Sequence, residues 1–144
     1  MLSFFNKNTN IEDVNFQDMQ KAINDNRYII INTLEPDKQQ CLIFNTLSIA
    51  QETSMINSLI DNYRYDRVII VYGMNCCDKK VDNKIEQLKR MGFRRLYLYR
   101  GGMFEWLCLQ DIYGSEVFRT TTETLDMLNY KPSQALKIER LEYI

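Results

Sequence analysis

The run Val68, Ile69, Ile70, Val71, Tyr72 constrains this chain more than any other stretch. It carries no charge, is rich in β-branched residues and is too short for a core helix, so it reads as a strand buried on both faces of a parallel sheet. A polar loop follows, Gly73, Met74, Asn75, Cys76, Cys77, Asp78, and after it Val81, Ile85, Leu88 and Met91 recur at steps of four, three and three. That spacing lays one apolar stripe along a helix, which Gly92 ends. Leu96, Tyr97, Leu98 and Tyr99 make the next strand. Strand, crossover helix and strand in this length predict a right-handed βαβ unit, and such sheets place their sites at the carboxyl ends of the strands. The 73–78 loop falls at such an end.

The flanking stretches support that unit. Asn8, Thr9 and Asn10 form a polar lead-in, and Phe16, Met19 and Ile23 share one face of a helix ending near Asn24 to Asn26. Residues 28–32 make a buried strand, stopped at Glu35, Pro36 and Asp37 because proline cannot donate to the ladder. A helix over 51–63 buries Met55, Ile56, Leu59, Ile60 and Tyr63, with Thr53 or Ser54 as its cap. Downstream, Gly101 and Gly102 permit backbone angles that let the main chain approach the loop closely. Phe104, Trp106, Leu107 and Leu109 open a helix ended by Tyr113 and Gly114, with Trp106 in the core. Residues 118–122 are extended, Thr121 or Thr122 caps a short helix through Leu125 and Leu128, and Tyr130, Lys131 and Pro132 close the domain. The expected fold is α/β and three-layered, a central mainly parallel sheet of about five strands with helices on both faces. One domain spans 1–132. In the tail, 133–144, the apolar residues Leu136, Ile138, Leu141, Tyr143 and Ile144 are interleaved with charged ones, which predicts packing on the domain or on a partner, including a second copy.

Composition removes several chemistries. The chain has no histidine, which excludes Cys-His nucleophile pairs, Ser-His-Asp triads and the commonest zinc ligand together. A formal charge of -1 gives no reason to expect nucleic acid or an anionic membrane, and Lys89, Arg90, Arg94 and Arg95 read as a solvated helix end. Four cysteines, none in a C-x-x-C pair, do not make a disulfide framework, so a reducing compartment is expected. The apolar start, Met1 to Phe5, is too short for a signal peptide and no run reaches membrane-span length, which points to an intracellular, cytoplasmic protein. Cys41, in an apolar segment, reads as a small buried hydrophobe. Adjacent Cys76 and Cys77 are strained as a disulfide and too few to hold a metal, so no metal or cofactor is expected.

The order Val71, Tyr72, loop, helix, Gly92, Phe93, Leu96, Tyr97, Gly101, Gly102 and Trp106 resembles the second half of a rhodanese (sulfurtransferase) domain. That family reads V-Y-C, a loop closed by Arg and Ser or Thr, a helix, G-F-x-x-V-Y-x-L-x-G-G and a Trp. Residues 31–36 are similar to its I-D-V-R-E-P, with Asn32 and Leu34 in place of Asp and Arg. Residues 41–49 are similar to its G-H-I-P-G-A-x-N-I, with Cys41 and Leu42 in place of Gly and His. The resemblance implies the rhodanese fold over residues 14–110 and, for the family's activity, a cysteine directly after the strand. Its thiolate, and then its persulfide, rest in a cradle of backbone N–H groups at a helix N-terminus.

Here Gly73 takes that position, the loop is longer, and Lys80 and Val81 stand where Arg and Ser or Thr would close it. Cys76 or Cys77 is then the candidate persulfide carrier, with Lys79 or Lys80 holding a small sulfur-containing anion such as thiosulfate. Against this, an Asp78 carboxylate at the helix start takes the donors an anion needs and raises the pKa of a neighbouring thiol. The cell-cycle phosphatases that share the fold with a longer loop also need Cys first and Arg last, for phosphate capture. A variant encoded by large DNA viruses, with a Y-G-x-N-x-x-D loop and a G-G-M-F-E-W-L-x-L-Q-D-I-Y-G segment, resembles the chain at Tyr72, Gly73, Asn75, Asp78 and Gly101 through Gly114. It implies host cytoplasm or virion, and a use other than sulfur transfer. The favoured reading is a binding or structural module without standard catalysis, joined to an unknown protein partner. A sulfurtransferase is the alternative and a phosphatase the third. An inward thiol favours the enzyme, and an inward Asp78 carboxylate or Asn75 amide favours the module.

Overall fold

A computed structural model describes residues 9–136 of the chain. Five strands, β1 (Asn10–Val14), β2 (Tyr28–Asn32), β3 (Thr46–Leu47), β4 (Val68–Tyr72) and β5 (Arg95–Tyr99), form one parallel sheet in the order β1-β5-β4-β2-β3. Four helices cover it: α1 (Phe16–Ala22), α2 (Ile49–Asp61), α3 (Lys80–Met91) and α4 (Gly102–Tyr113). The expected α/β architecture, parallel sheet and strand number are therefore present.

Alternation along the strands sorts the core into two layers. Ile30, Ile70, Tyr72 and Tyr99 face one side, where Met19 and Ala22 of α1 and Met103, Trp106 and Leu107 of α4 pack on them. Ile29, Ile31, Ile69, Val71, Leu96 and Leu98 face the other, against Ile56 and Leu59 of α2 and Val81, Ile85 and Leu88 of α3. β4, central and buried at all five positions, feeds both layers. α3 ends as expected at Gly92, whose φ of 110° places it in the left-handed region.

Four local expectations need correction. The polar lead-in continues into β1, an edge strand whose first four residues are exposed, held by parallel pairing to β5 rather than by an apolar face. α2 begins at Ile49, with Ser48 as its cap and Gln51 completing a capping box, so neither Thr53 nor Ser54 caps it. Tyr63 is 82% exposed, because the helix has ended and Tyr63 itself sits at φ 55°. Thr121 and Thr122 cap nothing: both hydroxyls donate to the Gln40 carbonyl, at 3.2 and 2.9 Å, and tie the extended segment to the chain before β3. A 3-10 turn at Met127–Tyr130 stands in place of the short helix, capped by Asp126, and leaves Leu125 and Leu128 in solvent. Residues 133–136 are exposed, and the rest of the alternating tail lies outside the described residues.

The position where the resemblance implies an Asp and an Arg is braced by neutral amides. Asn32 is buried, and its Oδ1 accepts from the Leu34 N–H at 2.9 Å and from Gln39 Nε2 at 2.8 Å. Its Nδ2 donates to Gln39 Oε1 at 3.2 Å and to the Leu47 carbonyl at 3.0 Å. One amide pair thus ties β2 to β3. The Tyr72 hydroxyl adds a second tie, accepting from the Ile43 N–H at 3.0 Å and sharing a hydrogen bond with the Thr46 hydroxyl at 2.9 Å. Burial pushes the Tyr72 phenol far above its ordinary range and keeps it neutral. Substituting Asn32→Ala orphans the Leu34 N–H, the Gln39 amide and the Leu47 carbonyl and is expected to cost about 2–3 kcal/mol in urea unfolding. A loss within the range of ordinary surface changes would mean that the amide pair does not brace this edge.

Candidate functional site

The 73–78 loop leaves β4 at the carboxyl edge of the sheet, with β2 on one side and β5 on the other. Its geometry is set by one side chain that turns inward. Asp78 Oδ2 accepts the Met74 N–H at 3.0 Å and the Thr33 hydroxyl at 3.1 Å, while Oδ1 accepts the Lys80 N–H at 3.0 Å. The carboxylate therefore joins the start of the loop, the end of β2 and the first residue of α3. It caps the helix from one position further out than an ordinary N-cap, since Lys79 already has helical angles and makes no side-chain cap bond.

Two glycines make room for this arrangement. A Cβ on Gly73 would run into Asp78 Oδ2 and lie 2.7 Å from Val81 Cγ2 and 2.8 Å from Thr33 Oγ1. No side chain fits there while Asp78 points inward. Gly102 has φ +67°, and a Cβ on it would lie 2.7 Å from the Gly73 carbonyl oxygen and 3.0 Å from the Asn75 nitrogen. The close approach lets Met103 and Phe104 donate their N–H groups to the Gly73 and Met74 carbonyls, both at 2.9 Å. The N-terminus of α4 is thereby spent on the loop. Gly101 lies under the Glu105 carboxylate, whose Oε1 accepts the Tyr99 hydroxyl at 2.6 Å. Burial first, then that bond, push the Tyr99 phenol far above its usual range.

Asn75 also turns inward. Its Oδ1 accepts the Cys77 N–H at 2.9 Å and its Nδ2 donates to the Tyr130 carbonyl at 2.9 Å, which anchors the loop to the end of the domain. Cys76 and Cys77, by contrast, are exposed at the loop's outer face with sulfurs 3.8 Å apart. Among the described residues each thiol has only the other as a hydrogen-bond partner. The Cys77 thiol is pushed up by its bond to Cys76 and then by the charge of the Cys76 thiolate. Lys79 is exposed, and the Lys80 ammonium is paired with Glu35 across the groove beside the loop. That groove has a volume of about 460 Å³, and its walls carry a second such pair, Lys84 with Glu52 at 2.6 Å. Trp106 is wholly buried, edge-on to Tyr99 and Phe118, and donates to the Arg119 carbonyl at 3.0 Å. Cys41 is buried as well.

The loop residues and Gly101 and Gly102 thus come together, the two thiols and Lys79 stand outside, and Trp106 supports the site from the core. Thr33, Glu105 and the Tyr130 carbonyl escaped sequence reasoning. None of the three carries a local signal: Thr33 lies beside the loop because Asn32 pairs with Tyr72, a register that only the folded sheet shows. Among the described residues no three Cys, Asp or Glu side chains gather where they could hold a metal ion, and no helix is long and apolar enough to cross a membrane.

No family model matches the chain, and no curated protein matches it in sequence. Solved structures do. The Alr3790 protein from Anabaena sp. is 15% identical, with 70% of this chain and 88% of that one covered and a TM-score of 0.54. The solution structure of the rhodanese-like domain of Alr3790 is 16% identical, with 87% and 93% covered and a TM-score of 0.53. Ygr203w, described as a yeast protein tyrosine phosphatase of the rhodanese family, is 14% identical, with 78% and 92% covered and a TM-score of 0.52. At these identities the likeness is one of fold, and the fold is rhodanese-like.

The raised Cys77 thiol predicts that at pH 7.5 it alkylates with iodoacetamide more slowly than an unstructured cysteine, because less of it is thiolate. In Cys76→Ala the cause is removed, and the pH of half-maximal alkylation rate at Cys77, followed by peptide mass, is expected to move down. An unchanged profile would show that the two thiols do not act on each other.

Proposed function

We propose that this rhodanese-fold chain is a binding or structural module whose loop has exchanged external anion capture for an internal carboxylate. The observation that carries this reading is the inward Asp78, which takes the Met74 and Lys80 N–H groups and the Thr33 hydroxyl. A sulfurtransferase of this fold uses such loop donors for a thiolate and its persulfide, and an enzyme needs them free. Gly73 supports the reading from the other side, since the position that would carry the nucleophile has no space for a side chain. The groove beside the loop, with its Lys80–Glu35 and Lys84–Glu52 pairs, offers a partner protein a polar surface with balanced charge.

A second reading rests on the exposed thiols, 3.8 Å apart. In it the Cys76 thiolate attacks the sulfane sulfur of thiosulfate, the sulfur–sulfur bond breaks, sulfite leaves, and a persulfide remains on Cys76. The phosphatase reading, the activity given for Ygr203w, has less support. Phosphate capture in that fold rests on a guanidinium closing the loop, and here the closing Lys80 ammonium is engaged by Glu35.

Intact mass of the purified chain after incubation with excess thiosulfate separates the first two readings, with Cys76→Ser and Cys77→Ser run alongside. The module reading predicts no added sulfur. A gain of one sulfur atom that is lost in one of the two variants would establish the sulfurtransferase and name its carrier.

A further inference from the structure

We propose that the amino ends of the strands, on the far side of the sheet from the loop, form a second site that binds a small anion carrying two phosphate groups. A cavity of about 530 Å³ opens there, and four arginines from three separate segments line it: Arg27 before β2, Arg64 and Arg67 before β4, and Arg95 at the start of β5. Register brings them together. Tyr28 pairs with Val68 and Val68 pairs with Arg95, so Arg27 and Arg67 stand side by side one step before that row. Neighbouring strands are about 5 Å apart, so the backbones carrying these arginines lie close together and their like charges share one cavity.

Only two carboxylates line the same cavity, Asp25 and Asp66. Asp25 takes the Nε of Arg27 at 3.1 Å and its Nη2 at 2.7 Å, which leaves Nη1 uncommitted. Asp66 takes only the Nε of Arg64, at 3.3 Å. Arg67, half-buried, spends one donor on the Asn26 carbonyl at 3.1 Å. Arg95 makes no ion pair among the described residues. Each guanidinium has five N–H donors in a planar fork that matches phosphate oxygens. Four cations facing two carboxylates, in a chain whose overall formal charge is -1, make a local excess that an anion would neutralise.

The arrangement also says where the anion sits and what it is. Arg27 holds the Asp25 carboxyl down at about 2, so Asp25 stays ionised through the neutral range and repels an anion from its side of the cavity. The anion is left with Arg67 and Arg95 on adjacent strands and the free Nη donors of Arg64. Two distinct guanidinium sites favour a diphosphate over a single phosphate, because each phosphate group then meets its own fork. A free diphosphate and one that is part of a nucleotide share this chemistry.

Two-dimensional 1H–15N NMR of the full chain, titrated at constant ionic strength with inorganic pyrophosphate, orthophosphate and ADP, tests the site. Saturable shifts are expected at the amides of Arg67, Val68 and Arg95, with pyrophosphate half-saturating at least about tenfold below orthophosphate. Arg67→Gln and Arg95→Gln are each expected to weaken pyrophosphate by about tenfold or more, and Arg90→Gln, on the exposed face of α3, to leave it unchanged. ADP binding more tightly than pyrophosphate would support the site as a nucleotide site, and equal binding as a site for the diphosphate alone. Shifts that do not saturate, or a loss in Arg90→Gln equal to the others, would overturn the proposal as a general charge effect. Arg95 is exposed, so Arg95→Gln keeps the test sound if Arg67→Gln disturbs the fold.

Discussion

The Asp78 carboxylate is the interaction on which the loop end of this molecule depends. It satisfies three donors that would otherwise face solvent or a ligand, and they come from three elements: the loop itself, the end of β2 through Thr33, and the first turn of α3. Charge-assisted hydrogen bonds of this kind are stronger than neutral ones, so the loop is held from within. The two glycines follow from it. Gly73 leaves the space the carboxylate occupies, and Gly102 brings the start of α4 close enough to take the Gly73 and Met74 carbonyls. The chain itself takes the Met74, Cys77 and Asp78 N–H groups and the Gly73, Met74, Asn75 and Asp78 carbonyls, and the donors facing Asp78 are thereby withdrawn from an outside anion.

Much of the fold was legible because burial writes itself in periodicity. β4 is apolar at every position and buried at every position, and α3 carries its stripe at helical spacing. β1 was not legible, since Asn10, Glu12 and Asp13 give no alternation and the strand is held by backbone pairing on one side only. The Ser48 capping box is present in the sequence, but Ile49 and Ala50 are exposed and lie ahead of the buried stripe that Ile56 and Leu59 mark. Tyr63 continued an apolar pattern past the point where the backbone had left the helix. At the site, Asp78 was recognisable by its position before α3, and the close approach at Gly102 by the Gly-Gly turn. The Thr33 hydroxyl, 45 residues away, is brought in by strand register alone, and the Thr121 and Thr122 bonds to Gln40 span still longer stretches.

The two ends of the sheet differ in their electrostatics. At the carboxyl ends most charges near the loop are matched, Asp78 by backbone donors, Lys80 by Glu35, Lys84 by Glu52, and Arg100 by Asp82 and Asp13, while Lys79, next to the loop, points into solvent. At the amino ends, arginines outnumber carboxylates around the cavity. A fold shared at 14% to 16% identity fixes where loops emerge and leaves open what they carry. In this chain the inward Asp78 carboxylate occupies the loop at one end of the sheet, and four arginines against two carboxylates line a cavity at the other.

Whether Asp78 stands in for a bound anion is tested most directly by removing it and offering a replacement. In Asp78→Ala, titrated with formate and followed by 1H–15N NMR, the Met74 and Lys80 amides are predicted to shift saturably toward their positions in the unsubstituted chain, whose own amides should not respond. Equal responses in both proteins, or no response in Asp78→Ala with its fold intact, would contradict the account, because the loop would then not be an anion site that the chain has filled from within.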